Sequence, residues 1–345
     1  MSKTIIISPS GNFYGSEQVL WDFLFHSEGT YIVFVPARSL LLQRLVKQNS
    51  RHIIKTFEPG RLPLFYCRIF FFLLLKGIGT VYLNEAGHNK FIQILAAFFP
   101  KKKFVIHVRI LEDTESARWL PQKAPNVEVI SISRYIEQKL PFPSELMYDA
   151  YQFTEKAVIS VKKEPDKLLI GVVGRVTATK GLGKLLELID YLDNDTPGRF
   201  IFHLYGGVSE KEEDREAIAC LRSLSNVKLE GFQESKDEIY CGMDCILHLS
   251  VMEPLGRIFF EAIDYGKPFM GFNAAGIAEI GQLTGLEELL IDPEKDWKEQ
   301  MAVKMDRLEK EYDQFAAVVR EARGKAAERF DLPAYVKQID KLIHL

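Results

Sequence analysis

Short runs of β-branched and aromatic residues alternate with longer helix-patterned stretches along almost the whole of this chain. That rhythm leaves few folds open. In the first half the runs are Thr4–Ser8, Tyr31–Pro36, His52–Phe57, Thr80–Asn84, Phe104–Arg109, Val127–Ser133 and Leu146–Ala150. In the second half they are Leu168–Gly174, Phe200–Gly206, Val227–Gly231, Cys245–Ser250, Pro268–Phe272 and, more weakly, Leu289–Asp292. Strands separated by helix-length connections pair in parallel, with the helices as crossovers. The fold class is α/β. The polar stretch Tyr151–Lys167, which holds Lys162-Lys163-Glu164-Pro165-Asp166, interrupts the rhythm before it restarts. It predicts a linker between two doubly wound, Rossmann-like domains at 1–155 and 156–328. Sheets of this kind bind ligands at the carboxyl ends of their strands, so two facing edges would make an interdomain cleft. Asp296–Arg329 reads as a long surface helix, and a last helix within 329–345 (Pro333–His344) is free to pack back on the first domain.

The length of 345 residues suits two domains, and 47% hydrophobic with 26% charged residues suits a soluble globular protein. The opening Met-Ser-Lys-Thr-Ile-Ile-Ile-Ser is too short in apolar length for a signal peptide, so a cytoplasmic location is expected. Leu62–Leu75 is apolar for 14 residues and contains Arg68, against the roughly 20 that a spanning helix needs. It predicts a core helix, or one that dips into a membrane surface. Cys67, Cys220, Cys241 and Cys245 lack metal-site spacing and read as reduced packing thiols. The net charge of −3 is uneven: residues 1–150 hold 18 basic and 12 acidic side chains, the remainder 26 and 35. A basic first half suits an anionic membrane surface, at the inner face, or a phosphorylated lipid carrier. No nucleic-acid partner is expected, because Lys101-Lys102-Lys103 is the one run among the scattered lysines of this half. The sequence carries no signal of oligomeric state.

Two stretches of the second half carry chemistry. Glu253-Pro-Leu-Gly256-Arg257-Ile-Phe-Phe-Glu261 places one carboxylate in the loop after a strand and a second in the following helix. Gly256 lets the backbone approach a ligand, and the helix start beside it attracts anions. Carboxylates for hydroxyls, next to an anion site, suit a nucleotide-sugar. Each glutamate alone is an ordinary helix-start residue. In the second stretch, Gly174 ends a strand, Arg175 and Lys180 stand five apart, and Gly181 opens a helix. This is a phosphate site by geometry and charge, although neither a P-loop nor a G-x-G-x-x-G fingerprint. Asp193-Asn-Asp195 looks like a metal-binding Asp-x-Asp but precedes Thr-Pro-Gly and reads as a turn. With two fixed cations at hand, no metal or other cofactor is needed. His203 and His248 lie inside strand runs and read as core.

The order Gly-Arg…Lys-Gly, Gly231-Phe232, Glu-x7-Glu, then Asn273-Ala-Ala-Gly276-Ile277-Ala-Glu279 resembles family-4 retaining glycosyltransferases of the GT-B fold. In the first half, Gly11-Asn-Phe-Tyr14-Gly15-Ser-Glu17 is similar to that family's first glycine loop. Val105-Ile-His107-Val-Arg109 is similar to the strand ending at its active-site histidine, and Ser131-Ile-Ser133 to its serine-bearing strand. The family's usual Asn-Gly near the end of the first domain is here Tyr148-Asp149-Ala150. The resemblance implies that Arg175 and Lys180 hold the donor diphosphate as its charge grows in the transition state. It implies that Leu255, Gly256 and Arg257 present helix-start amides, that Glu261 reads the ribose, and that Glu253 reads the transferred sugar. Gly15, Gly174, Gly276 and Ile277 would line the donor, and Phe232 would lie near the base or in the core. His107 would meet a sugar hydroxyl or stabilise positive charge through its carbonyl. Tyr14 and Arg109 fall on the acceptor side, where Arg109 meets a phosphate or pairs with Glu112 or Asp113. The implied catalytic set is His107, Glu253, Arg175 and Lys180.

The implied activity is retaining, metal-independent transfer from a nucleotide-sugar, UDP-linked by association, to a glycan or lipid-linked acceptor in bacterial surface polysaccharide synthesis. Two other readings fit the same fold: a sugar-nucleotide epimerase, and a non-catalytic nucleotide-sugar binding protein.

Overall fold

The computed structural model describes residues 3–75, 77–85, 87–154 and 167–344. The chain divides into two compact units, one of Met1–Gln152 with Phe330–Leu345, the other Phe153–Arg329. Most of the predicted linker, 155–166, lies outside the described residues, as does the expected boundary at 155/156.

The first unit is built on β1 (Lys3–Ile7), β2 (Ile32–Pro36), β3 (Ile53–Phe57), β4 (Ile78–Leu83), β5 (Lys103–Val108), β6 (Val127–Ser131) and β7 (Glu145–Leu146). Its helices are α1 (Gly15–His26), α2 (Leu40–Lys47), α3 (Leu62–Leu75), α4 (Asn89–Phe98) and the short α5 (Arg134–Glu137). The seven strands are parallel in the order β3-β2-β1-β4-β5-β6-β7. Consecutive strand residues point to opposite faces, and β2 shows both faces covered. Val33 and Val35 pack with α1 and α2, whereas the Phe34 ring lies 5.8 Å from Phe65 and 5.5 Å from Phe72 of α3.

The second unit holds β8 (Leu168–Val173), β9 (Phe200–Tyr205), β10 (Val227–Gly231), β11 (Cys245–His248), β12 (Phe269–Phe272) and β13 (Leu290–Ile291). Its helices are α6 (Leu182–Asp195), α7 (Arg215–Ser223), α8 (Lys236–Tyr240), α9 (Arg257–Asp264), α10 (Ala275–Thr284), α11 (Trp297–Lys310) and α12 (Tyr312–Arg329). The six strands are again parallel, in the order β10-β9-β8-β11-β12-β13. The chain then returns to the first unit with α13 (Leu332–Ile343). Tyr335, Val336, Ile339 and Ile343 of α13 join the core of α1 and β1, and Thr4 donates its hydroxyl to the Ile343 carbonyl at 3.1 Å.

Each sequence run finds its strand, with four differences in the surrounding readings. The run Leu146–Ala150 pairs only at its beginning, as β7, and further along it Asp149 pairs with the buried Arg109. The long helix expected over Asp296–Arg329 is two helices, broken at Glu311, and both bury a stripe that includes Met301, Met305, Phe315 and Val319. Three of the thiols taken for packing residues, Cys67, Cys220 and Cys241, are exposed, and only Cys245 is buried. The expected core helix α3 buries Phe65, Ile69 and Leu73 but leaves Leu64, Phe71 and Leu74 in solvent.

Candidate functional site

In both sheets the strand order reverses once, between β1 and β4 and between β8 and β11. The loops after such a pair diverge, leaving a crevice at their carboxyl ends. In the second unit these loops are Gly174–Gly181, after β8, and the segment 249–256, after β11. Gly181 brings them into contact. It has φ +86, and a Cβ there would lie 2.3 Å from the Leu249 carbonyl oxygen, so only glycine fits. Ser250 closes the join by donating to the Thr179 carbonyl at 3.1 Å. A buried carboxylate fixes the other side. Asp214 accepts the Thr177 hydroxyl and the Ala178 N–H, each at 2.8 Å. With the Ser209 hydroxyl first, these donors hold its carboxyl below the usual range. Arg175, in the same loop, is exposed.

The loops meet in an ion pair. Lys180 Nζ stands 2.5 Å from Glu253 Oε2, with side chains 30% and 14% exposed. His248, the last residue of β11, places Nε2 3.4 Å from that same oxygen and is nearly buried. Burial works against the Glu253 charge. The His248 contact and the Lys180 ammonium outweigh it and hold the carboxyl at about 2. The unit thus carries a carboxylate that is ionised at neutral pH at the mouth of its crevice, tethered through one oxygen. Its other oxygen makes no hydrogen bond among the described residues.

The helix after this loop starts as an anion site. Gly256, at φ +88, caps α9 without a side-chain bond, and a Cβ there would strike Ile277 Cδ1 at 2.2 Å. The Gly276 N–H donates to the Glu253 carbonyl at 2.9 Å, tying the start of α10 to the loop. Ala275, the first residue of α10, sits at φ +49, a left-handed value that costs an alanine about 1 kcal/mol. Leu255 and Ile277 are buried, so each can offer a ligand only its backbone. Arg257 opens α9. Glu261, one turn further, accepts from the Tyr240 hydroxyl at 2.7 Å and pairs with Lys236 at 3.0 Å. Phe232, which the sequence placed beside a base or in the core, is 69% exposed and is no core residue. Asp193 lies in the last turn of α6 rather than in a loop, and accepts both contacts of Asn226 Nδ2 at 3.0 Å. Among the described residues no group of three or more His, Cys, Asp or Glu is placed to hold a metal.

The remaining candidates lie in the first unit. Tyr14 caps α1 and is 52% exposed, Gly15 is the first helical residue, and Glu17 accepts the Tyr14 N–H at 2.9 Å. His107 and Arg109 are different in kind, since both are buried. Arg109 reaches Asp149 at 2.9 Å, the Asn84 carbonyl at 2.9 Å and the Tyr335 hydroxyl at 2.8 Å. It therefore pairs with neither Glu112 nor Asp113, and its guanidinium is committed to core partners rather than to an acceptor phosphate. Asp149, in the Tyr148-Asp149-Ala150 departure, is its counter-ion.

Arg109 Nη2 also donates to His107 Nδ1 at 3.1 Å, and the Tyr82 hydroxyl lies 2.7 Å from the same nitrogen. Because a guanidinium can only donate, Nδ1 accepts and the ring proton sits on Nε2. Burial, then the Arg109 charge, pushes the imidazole well below its ordinary pKa, so it is neutral. The resulting Nε2–H is buried without a hydrogen-bond partner among the described residues.

Sequence reasoning missed Asp149, Asp214, Tyr82, Tyr335 and above all His248, which was set aside as core. The one signal was a histidine two residues before the strand-ending serine.

Comparison with known proteins adds a family. Residues 153–327, just over half the chain, match the family "Glycosyl transferases group 1". The fold is similar to that of Anabaena Alr3699/HepE, solved in complex with UDP and glucose, at 18% identity and a TM-score of 0.77 over 100% of both chains. It is also similar to the lipopolysaccharide outer core galactosyltransferase WaaB, at 14% identity and a TM-score of 0.70 over 99% of both chains. These likenesses bear on fold, and two Rossmann-like units are the GT-B architecture. A Klebsiella pneumoniae protein, "Uncharacterized 42.6 kDa protein in cps region", is 28% identical over 163 residues. That match covers 46% of this chain and 42% of the relative, so the chain spans less than half of it.

Proposed function

This chain belongs to the glycosyl transferases group 1 family, and on that premise we propose that it is a retaining, metal-independent transferase of family-4 type. It moves a sugar from a UDP-sugar to a glycan or lipid-linked acceptor in bacterial surface polysaccharide synthesis. The observation that carries this reading is the Lys180–Glu253–His248 cluster beside the uncapped start of α9. A cation, a fixed carboxylate and a helix start without a side-chain cap at one strand edge match a ligand with both phosphates and hydroxyls. The UDP complexes of structural neighbours favour that nucleotide, and the cps-region relative favours the polysaccharide setting.

In this mechanism the second unit holds the donor. Arg175, Lys180 and the amides of Gly256 and Arg257 take the charge that develops on the diphosphate as the glycosidic bond breaks. Gly174, Gly276 and Ile277 supply close backbone, Glu261 accepts from the ribose hydroxyls, and exposed Phe232 lies against the base. Glu253 accepts from a hydroxyl of the transferred sugar through the oxygen that Lys180 leaves open. Glu253 is read as a binder of the sugar, not as a nucleophile. The first unit takes the acceptor, with Tyr14 at its surface and Gly15 in its glycine loop. His107 offers Nε2–H as a neutral donor, and Arg109 serves by fixing the tautomer. The protein works in the cytoplasm, in contact with the inner face of the membrane.

A thermal-shift screen of nucleotide-sugars finds the donor, because a matched ligand stabilises the native state by mass action. Transfer to an acceptor extract then gives a product whose anomeric configuration, read by NMR, matches the donor. Lys180→Ala and Glu261→Ala lose transfer while remaining folded. An inverted product, or a donor isomer formed without acceptor, refutes the reading.

A further inference from the structure

Apart from Arg68, helix α3 is apolar on all sides, yet only one side is covered. Such a helix is ordinarily buried all round. Phe65, Ile69 and Leu73 pack into the first unit, while Leu64, Phe71 and Leu74 on the opposite side are 59%, 57% and 55% exposed. The exposed face continues onto α4. The Phe70 ring of α3 lies 6.2 Å from Phe98 and 5.2 Å from Phe99, and Tyr66 stacks on Phe91 at 3.8 Å. Beyond that aromatic seam, Ile94 and Phe98 are 45% and 68% exposed. Five large apolar side chains on two adjoining helices form a surface that a monomer in water rarely carries.

The charged side chains on and just after these two helices are basic, and the nearest acidic residues along the chain are Glu58, before α3, and Glu85, before α4. Residues 59–84 and 86–111, which include both helices, contain no acidic residue. Arg61 stands one residue before α3, Lys90 shares the outward side of α4 with Ile94 and Phe98, and Lys101 follows α4; all three are exposed. Face-to-face contact between two copies would bring these cations together, whereas a negatively charged surface with an apolar interior satisfies both features. At about 1.5 Å per residue the 14-residue α3 is too short to cross a bilayer, and among the described residues no helix is long and apolar enough to do so.

We propose that the outward faces of α3 and α4 are an interfacial membrane-binding surface, with Leu64, Phe71, Leu74, Ile94 and Phe98 entering the headgroup–acyl boundary of an anionic bilayer and Arg61, Lys90 and Lys101 meeting lipid phosphates. This deepens the membrane contact proposed above and rests on it. It gives the enzyme a defined mounting face, on the unit assigned to the acceptor.

The test is co-sedimentation of the full chain with vesicles of 70% phosphatidylcholine and 30% phosphatidylglycerol. Phosphatidylcholine vesicles and a salt series serve as controls, and UDP thermal shift is measured on the same samples. Expected are binding that needs the anionic lipid, weakening as salt rises, and a loss of at least about tenfold in the Phe71→Glu/Leu74→Glu variant. Lys90→Gln/Lys101→Gln loses binding to a smaller extent and keeps the residual salt-insensitive part. Both variants keep the wild-type UDP shift, so failure of vesicle binding is distinguishable from failure of the donor site. Wild-type binding that survives Phe71→Glu/Leu74→Glu overturns the proposal. So does a dimer in sedimentation velocity that the same variant converts to monomer.

Discussion

Replacing Glu253 by Gln keeps the side chain's size and removes its charge, and the structure sets the size and the pH range of the effect. The folded carboxyl sits at about 2 against an ordinary 4.5. Each unit of that difference is worth about 1.4 kcal/mol, so the ionised group contributes about 3 kcal/mol to folding at neutral pH. Lys180 is 30% exposed, so solvent screens part of its share and about 2 kcal/mol remains. The sign follows from a depressed folded pKa. The contribution is complete above about 4.5 and disappears as pH falls towards 2. Urea unfolding of the second unit is read from Trp297, its own tryptophan, with Trp21 and Trp119 replaced by Phe. Glu253→Gln should be less stable than its parent by about 2 kcal/mol at pH 7, with the gap closing between pH 5 and pH 2.5. A gap that stays constant across that range would mean that the loss comes from packing, and the ion-pair argument would be wrong.

Removing Asp149 strands the Arg109 cation in the core, so Asp149→Ala should destabilise the first unit by about 3–5 kcal/mol in denaturant titration; a loss below about 1 kcal/mol would show the pair to be hydrated. Asp113, buried and facing Glu85, has its carboxyl pushed up to about 7, chiefly by burial. Its raised pKa means that stability falls as pH rises from 4 to 7, so Asp113→Asn should be more stable than the parent at pH 8 and equal to it at pH 3.5 in thermal melts. Transfer activity should be unchanged in excess EDTA; loss restored by Mn²⁺ or Mg²⁺ would add a metal to the donor site.

The sheets were legible because each strand announces itself within a run of four to seven residues, and β1 and β8 need no distant partner to be recognised. What the sequence hid is contact between residues far apart along it. Asp149 answers Arg109 across 40 residues, and Asp214 fixes a loop 36 residues before it. His248 follows the alternation of a buried strand, and only the folded loop after it brings Glu253 within 3.4 Å. Likewise, an unbroken apolar run such as Leu62–Leu75 has no polar face to mark which side meets the sheet. Its exposed half is visible only once Phe65 and Ile69 are seen to fill the core. The break between α11 and α12 at Glu311 has no glycine or proline to signal it.

Tyr335 reaches from α13 into the buried cluster around Arg109, and Thr4 of the first strand bonds to Ile343, the last residue of α13. The ribosome therefore releases the first unit without its closing piece. Until α13 emerges, Arg109 lacks one of its partners and the apolar side of α1 lacks its cover. The second unit, contiguous from Phe153 to Arg329, has no such wait. Synthesis order and completion order are reversed: the part made first is finished last, and a nascent chain halted before α13 would present an open core to chaperones.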